Sequence, residues 1–253
     1  MISAKGTHEN AHDHPAGRSG RQETLLDRFN RDFACVLADQ PDLLRQAYET
    51  RYQVYCIENA FENPEEHGLG QEVDAFDAFS VHSLLTFRPT GESLGTVRLV
   101  LPDAHTPSSY AMQRLAEFSG NRMPVPLAAT AEVSRFSISK RSRKVKGAID
   151  IVSGGGRPAL RQAEPLMSLG LIQGLVRMSR DNAVTHWCAV METKLLRMLD
   201  AMGIHFTPVG PMIDYHGLRQ ACYCELEAVL ASVKRERPTF WDIITDGGAL
   251  AAV

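Results

Sequence analysis

No stretch of this chain reaches the roughly 18 to 20 continuous apolar residues that a membrane span requires. Its start, MISAKGTHENAHDHPAGRSG, lacks the apolar core of a secretory signal. The expectation is a soluble, cytoplasmic protein. There is no surplus of positive charge: the formal net charge is −3, whereas a duplex-binding domain carries a basic excess that neutralises phosphates, so nucleic acid is not an expected partner. Cysteine is sparse and odd in number, with Cys35, Cys56, Cys188, Cys222 and Cys224 in apolar contexts. That pattern fits thiols in a reducing compartment better than a disulfide framework. Ligand spacing for a metal is also missing. His8, His12 and His14 stand without cysteines in a polar tail, His82, His186, His205 and His216 share no spacing, and Cys222-Tyr-Cys224 has no second pair. The glycine-rich SGGGRP at Ser153 to Pro158 lacks the Lys and Ser/Thr of a nucleotide-binding loop. No internal repeat is present.

What is there suits one domain. At 253 residues and 44% hydrophobic content the chain is an ordinary globular one. Residues 1–21 have almost no large apolar side chains and read as a disordered tail, leaving 22–253 as a single domain. A helix is expected from Asp42, with Asp42 as its cap. Ser80 to Phe87 and Leu94 to Leu101 read as an antiparallel hairpin around Arg88-Pro-Thr-Gly-Glu. Then come a short helix from Tyr110 to Phe118 and a strand from Ala131 to Ser139. A helix follows from Pro165 to Arg180, whose Gly170 and Gly174 suit close packing on a sheet. Beyond it are a strand from Val184 to Met191, a helix from Thr193 to Met202 closed by Gly203, and a strand from Ile204 to Val209. A hairpin joined to strands that alternate with helices implies an α/β protein with a mixed sheet covered on both faces. Asp246-Gly-Gly reads as a loose terminus.

Charge sits where burial would make it costly unless it is paired or used. Arg51 lies in the first helix, Glu72, Asp74 and Asp77 in QEVDAFD, Arg98 inside GTVRLVLP, and Glu132 and Arg135 inside AEVSRF. Signs are balanced enough to pair. Taken singly, each also reads as an ordinary solvated position. Glu132 and Arg135 are three apart, so on a regular strand they face opposite ways, unless a bulge re-aims one of them.

These segments, RYQVYCIENAF, EVDAFD, GTVRLV and EVSRF in order, resemble the LuxI-type autoinducer synthases, which make acyl-homoserine lactones on a GNAT-like fold. Arg51, Tyr55 and Phe61 stand at the spacing of that family's Arg, aromatic and Trp, with Phe61 in place of the Trp. Asp74 and Asp77 match its paired aspartates, Arg98 its strand arginine, and Glu132, Ser134 and Arg135 its Glu-x-Ser-Arg. From about Leu25 to Gly247 the chain is also similar to the PEP-CTERM/exosortase system-associated acyltransferases, through LRQAYETRYQVYCIE, AEVSRFSISKR and RPTFWDIITDG among others.

The resemblance implies a bacterial N-acyltransferase on a GNAT-like fold. The mixed central sheet would be splayed between two parallel strands, Ala131 to Ser139 and Val184 to Met191, to admit the thioester. The co-substrate would be acyl carrier protein or acyl-CoA, the acceptor an amino acid or similar amine, and no cofactor would be held permanently. Glu132 would be the base and the N–H groups near Phe136 and Ser137 the oxyanion donors. Arg51, Asp74, Asp77, Arg98 and Arg135 would bind the acceptor, together with Tyr55 and Phe61. Phe118, Trp187, Met191, Leu195 and Leu196 would line an acyl tunnel, or simply be core. The basic run Lys140, Arg141, Arg143 and Lys144, with the SGGGRP that follows, would dock the acidic carrier protein or the coenzyme A phosphates, or be a solvated loop. Cys188 as a nucleophile is the rival to direct transfer, against a packed core thiol. Two other functions stay open at this stage: an acyl-homoserine-lactone synthase using S-adenosylmethionine, and a module that binds acyl carriers or lipid without turnover.

Overall fold

The computed structural model describes residues 23–102, 108–120, 124–143, 157–215 and 217–251, the side chains of 157–164 excepted. Within them one sheet holds β1 (Phe33–Leu37), β2 (Ser80–Phe87), β3 (Glu92–Val100), β4 (Thr130–Ile138), β5 (His186–Glu192), β6 (Thr207–Asp214) and β7 (Leu218–Glu225). The spatial order is β1-β2-β3-β4-β5-β7-β6. Every neighbouring pair is antiparallel except β4 and β5, which run parallel. The helices are α1 (Leu25–Asp32), α2 (Pro41–Tyr52), α3 (Tyr110–Ser119), α4 (Arg157–Asp181), α5 (Thr193–Ala201), α6 (Leu226–Glu236) and α7 (Pro238–Ile244).

Alternation along the strands assigns the faces. Val97, Leu99, Ala131 and Val133 point into the main core with Leu169, Ile172 and Val176 of α4, and with residues of α1, α5, α6 and α7. Leu84 on β2 points the other way and packs with Ala47 of α2. Ala111 and Leu115 of α3 cover Cys188 and Ala221 on that second face. Helix α4 lies tight on the sheet because of its glycines. A Cβ at Gly170 would come within 2.5 Å of Leu85 Cδ1, and one at Gly174 within 3.0 Å of Cys35 Sγ.

Two features prepare the site. The β4–β5 ladder consists of Thr130↔His186, Ala131↔Trp187 and Glu132↔Cys188, after which the strands part. The β3–β4 register shifts between Thr96 and Arg98, so that Arg135 and Phe136 together oppose Val97. Arg135 sits there at φ +51°, a left-handed conformation uncommon for a residue other than glycine. The bulge leaves Phe136 against the main core and turns Arg135 toward the face that carries Glu132 and Ser134.

Several expectations need correction. Helix α2 begins at Pro41 with Gln40 as its cap residue, and Asp42 lies in the first turn, where its charge suits the helix dipole. Thr24 caps α1 through a reciprocal capping box with Asp27, and β1 follows it directly. The strand expected from Ile204 starts at Thr207 and continues through a bulge at Gly210 and Pro211 to Asp214, and β7 returns beside it. The loose terminus is ordered. Gly247 donates its N–H to Asp242 at 2.7 Å, and Arg180 Nε donates to the Leu250 carbonyl at 3.1 Å. All five cysteines are free thiols. The tail 1–21, with its three histidines, lies outside the described residues, as do His216, Lys144 and Ser153 to Gly156. No helix among the described residues is long and apolar enough to cross a membrane.

Candidate active site

Six charged side chains meet on the α2 face of the sheet. Arg51 comes from the last turn of α2 and Arg98 from β3. The bulge supplies Arg135, and Glu72, Asp74 and Asp77 come from the segment before β2. That acidic segment is fixed by a second capping box, in which Asp74 accepts from Phe76 N–H and Asp77 from Asp74 N–H, at 2.8 and 2.7 Å. Arg51 donates to Glu72 and, at 2.6 Å, to Asp77. Arg98 reaches Asp74 at 2.6 Å and Asp77 at 2.9 Å, and its Nε donates to Ser134 Oγ at 3.0 Å. Arg135 grips both oxygens of Glu72 at 2.9 and 3.1 Å and touches Asp74 at 3.0 Å. Three cations thus face three anions, which is how a buried cluster of charge can be tolerated. Burial alone would push Glu72 up, but Arg51 and Arg135 overcome it and hold the carboxyl at about 2. Asp77 is likewise driven up by burial and brought to about 2 by Arg51 and Arg98.

The aromatic expectations fall beside this cluster. Helix α2 continues into a π-helical turn, Gln53–Glu58, that carries Tyr55. The Arg135 guanidinium lies 5.0 Å over the Tyr55 ring, and Phe61 meets the same ring edge-on at 6.1 Å.

Glu132 occupies the last β4–β5 pair, at the apex where the strands part. One oxygen accepts the Ala111 N–H at 2.8 Å, in the first turn of α3. Burial pushes this carboxyl up, and the Ala111 N–H, the Ser109 hydroxyl, Arg98 and Arg135 offset only part of that. Glu132 nonetheless keeps a window. It lines a recess of about 80 Å³ with Tyr55, Tyr110, Arg135, Tyr215 and Arg219. Tyr110 and Tyr215 stack across that recess with ring centroids 4.2 Å apart.

Below the apex the parted strands enclose a cavity of about 470 Å³, which shares Tyr55, Phe61, Val133, Ser134, Arg135, Val190 and Arg219 with the recess. Phe136, Ser137, Trp187, Met191 and Leu195 line it. A cavity of this size, lined by apolar side chains and polar groups in about equal measure, has the proportions of a small-molecule site. Ser137 Oγ is buried there without a hydrogen-bond partner. Trp187 is fully buried and donates its indole N–H to Ser179 Oγ at 2.8 Å. Phe118 is not among the lining residues: it packs under Gly210, tying α3 to β6. Leu196 packs on the core outside the lining. In the basic run, Lys140 bonds the Glu58 carbonyl at 2.6 Å and Arg141 bonds Gln53 at 2.7 Å, while Arg143 is exposed. Cys188 is buried and burial raises its thiol well above the ordinary range, as befits a packed core residue.

Sequence reasoning underrated Glu72, which is the hub for two arginines. Its place two residues before Asp74, in a segment otherwise assigned to the acceptor, was the available signal. Tyr110, Val190, Tyr215 and Arg219 were missed. Tyr215 and Arg219 belong to the hairpin β6–β7, whose prolines hide it.

A mixed sheet parted between two parallel strands, with helices on both faces, is a GNAT-like fold. Residues 50–151 match a family model described as an acetyltransferase (GNAT) domain. Among the solved structures that share the fold are the following three. A CoA-dependent acyl-homoserine lactone synthase, BjaI, with SAM and isopentyl-CoA, has a TM-score of 0.55 and 19% identity, over 87% of this chain and 89% of its own. TofI, in a ternary complex with an inhibitor and MTA, has a TM-score of 0.55 and 17% identity over 81% and 98%. MesI, another CoA-dependent acyl-homoserine lactone synthase, has 0.54 and 19% over 87% and 96%. No curated protein sequence matches the chain.

Proposed function

We propose that this protein is a cytoplasmic N-acyltransferase that moves a fatty acyl group from a thioester of acyl carrier protein or coenzyme A to the amine of an amino acid or similar small molecule. The observation that carries the proposal is the position of Glu132. It stands at the apex where the cavity between β4 and β5 meets the recess, with a carboxyl that burial has made more basic.

The acyl chain lies in the larger cavity against Trp187, Met191 and Leu195, with its thioester carbonyl at the apex. The N–H groups near Phe136 and Ser137 receive the oxyanion. The acceptor occupies the recess, oriented by Arg135, Tyr55 and the ion cluster behind them. Glu132 takes the proton of the attacking amine. The nitrogen bonds to the carbonyl carbon, the C–S bond breaks, and the carrier leaves as a thiol. No covalent enzyme intermediate is needed. By sequence resemblance the product serves an exosortase-linked envelope system, and Lys140, Arg141, Arg143 and Lys144 take part in docking the carrier.

The test is release of carrier thiol, with formation of N-acyl product followed by mass spectrometry. Glu132→Gln keeps the shape and most hydrogen bonding of the side chain but cannot take a proton. We expect kcat to fall about 10²- to 10⁴-fold with little change in melting temperature. The acid limb of the rate profile, which should lie above the ordinary carboxylate range in the parent, should vanish in the variant. A stable, fully active variant refutes the role of Glu132. Thiol release with S-adenosylmethionine and not with amino acids selects a lactone synthase, and tight acyl binding with no release selects a non-catalytic module.

A further inference from the structure

The recess beside Glu132 carries charge of both signs in balance: its charged lining is Glu62, Glu132, Arg135 and Arg219. Glu72 and Asp74, which hold Arg135 from behind, do not line it. The two guanidinium groups come from opposite sides of the parting, Arg135 from the bulge of β4 and Arg219 from β7, the antiparallel neighbour of β5. Arg219 stands across the ladder from Glu192 and donates to it at 3.3 Å, but Glu192 lines the larger cavity and not the recess. Each cation lies over an aromatic face of the same wall, Arg135 at 5.0 Å from the Tyr55 ring centre and Arg219 at 5.9 Å from that of Phe61. On the acidic side, Glu62 is 3.8 Å from Arg135, and Glu132 is anchored on the Ala111 N–H.

The ligand that such a site matches follows from charge and size. A partly buried group of two cations and two anions takes up a net charge only at a cost, whereas a zwitterion brings none and gives each side a partner. The recess measures about 80 Å³, well below the roughly 300 Å³ at which pockets for drug-sized molecules begin. Tyr215 is 38% exposed, so its stack with Tyr110 forms the solvent side of the recess. The occupant therefore has both charges close together and little else. We propose that the acceptor is a small α-amino acid of glycine or alanine size, its carboxylate held between Arg135 and Arg219, its amine toward Glu132, and its side-chain end against the stacked tyrosines. Arg219 then selects for the carboxylate, and the Tyr110–Tyr215 pair sets the upper limit on size. The inference rests on the acyl-transfer reading and names the acceptor of that reaction.

The full chain enters two assays whose failures are separable. Calorimetric titration measures binding of glycine, glycinamide and phenylalanine, both without donor and with an unreactive thioether analogue of acyl-CoA. Release of carrier thiol measures turnover with the same three acceptors. Glycine should bind and be acylated. Glycinamide, which lacks the carboxylate, and phenylalanine, which exceeds the recess, should each bind at least about 10-fold more weakly. Arg219→Gln should weaken glycine about 10- to 100-fold and leave glycinamide as it was, a split that a merely structural role would not produce. Arg219→Lys, which keeps the charge without the fork, should recover part of the loss and carries the comparison if the Gln variant melts early. Tyr215→Ala should admit phenylalanine. Arg219-dependent glycine binding without thiol release would sink the acyl-transfer reading and keep the amino-acid site. Thiol release as fast with glycinamide as with glycine would keep the transfer and overturn this proposal. So would a parent that binds phenylalanine as tightly as glycine, no glycine binding in either state, unchanged glycine affinity in Arg219→Gln, or continued exclusion of phenylalanine by Tyr215→Ala.

Discussion

Replacing Glu72 by Gln removes the carboxylate that receives Arg51 and both donors of Arg135, at a position with 1% exposure. The amide keeps the volume but offers one acceptor where two were used, and its NH₂ then faces guanidinium donors. Two arguments give the cost. Moving the carboxyl from 4.5 to about 2 on folding corresponds to about 3 kcal/mol. Taking one partner from a buried ion pair costs about 3–5 kcal/mol, because the other charge is left uncompensated. At about 2–4 °C per kcal/mol for a chain of this size, the melting temperature should fall by roughly 6–20 °C. Circular dichroism melts of Glu72→Gln, Arg135→Gln and the double variant supply the measurement, with the double expected to lose less than the sum of the singles. The pH dependence has a definite sign. The folded carboxyl lies below its unfolded value, so its contribution is complete above about pH 4.5 and fades as pH falls through about 2. Acid destabilisation in that window should be shallower in Glu72→Gln. A loss of under about 2 °C, or strictly additive singles, would show that the cluster is not held together as described.

Three further outcomes are expected. Leu195→Trp narrows the cavity between β4 and β5, so the preferred acyl chain should shorten in a competition among thioesters of graded length; an unchanged preference would place the chain elsewhere. Gly174→Val would drive its Cβ to 2.7 Å from Ser83 Cβ and 3.0 Å from Cys35 Sγ, and urea unfolding should register a loss of about 1–3 kcal/mol from overpacking. Changing Lys140, Arg141 and Arg143 to Gln should raise KM for a carrier-protein donor at low salt and erase its salt dependence, whereas an unchanged KM would assign Lys140 and Arg141 to their bonds with Glu58 and Gln53 alone.

The charge cluster was legible because Arg98 and Arg135 stand in strands whose neighbours are apolar, and because charge in such a place demands a partner. Even the bulge was foreshadowed, since Glu132 and Arg135 could share a face only if an extra residue intervened. The hairpin β2–β3 and helix α4 declare themselves by turn residues and helical spacing. The misses have physical causes. Strand β1 is five residues long and follows α1 without a turn, so nothing local punctuates it. Strand β6 contains Pro208, Gly210 and Pro211, which argue against a strand yet are tolerated at an edge with a bulge. The terminus looked loose because Asp246-Gly-Gly suits a turn, and its order comes from Arg180, far away in sequence.

The three residue pairs that join β4 to β5 make the sheet two plates touching at one corner: β1 to β4 on one side, and β5, β7 and β6 on the other. Away from the two facing edges, each plate is held together by its own antiparallel ladders. A guest between them therefore breaks no ladder hydrogen bond on arrival, and a bulkier guest asks only that the free edges stand farther apart. Tolerance for chains of different girth is in this sense a property of the topology. Fine discrimination is left to the few side chains, such as Val190, Met191 and Leu195, that project into the gap.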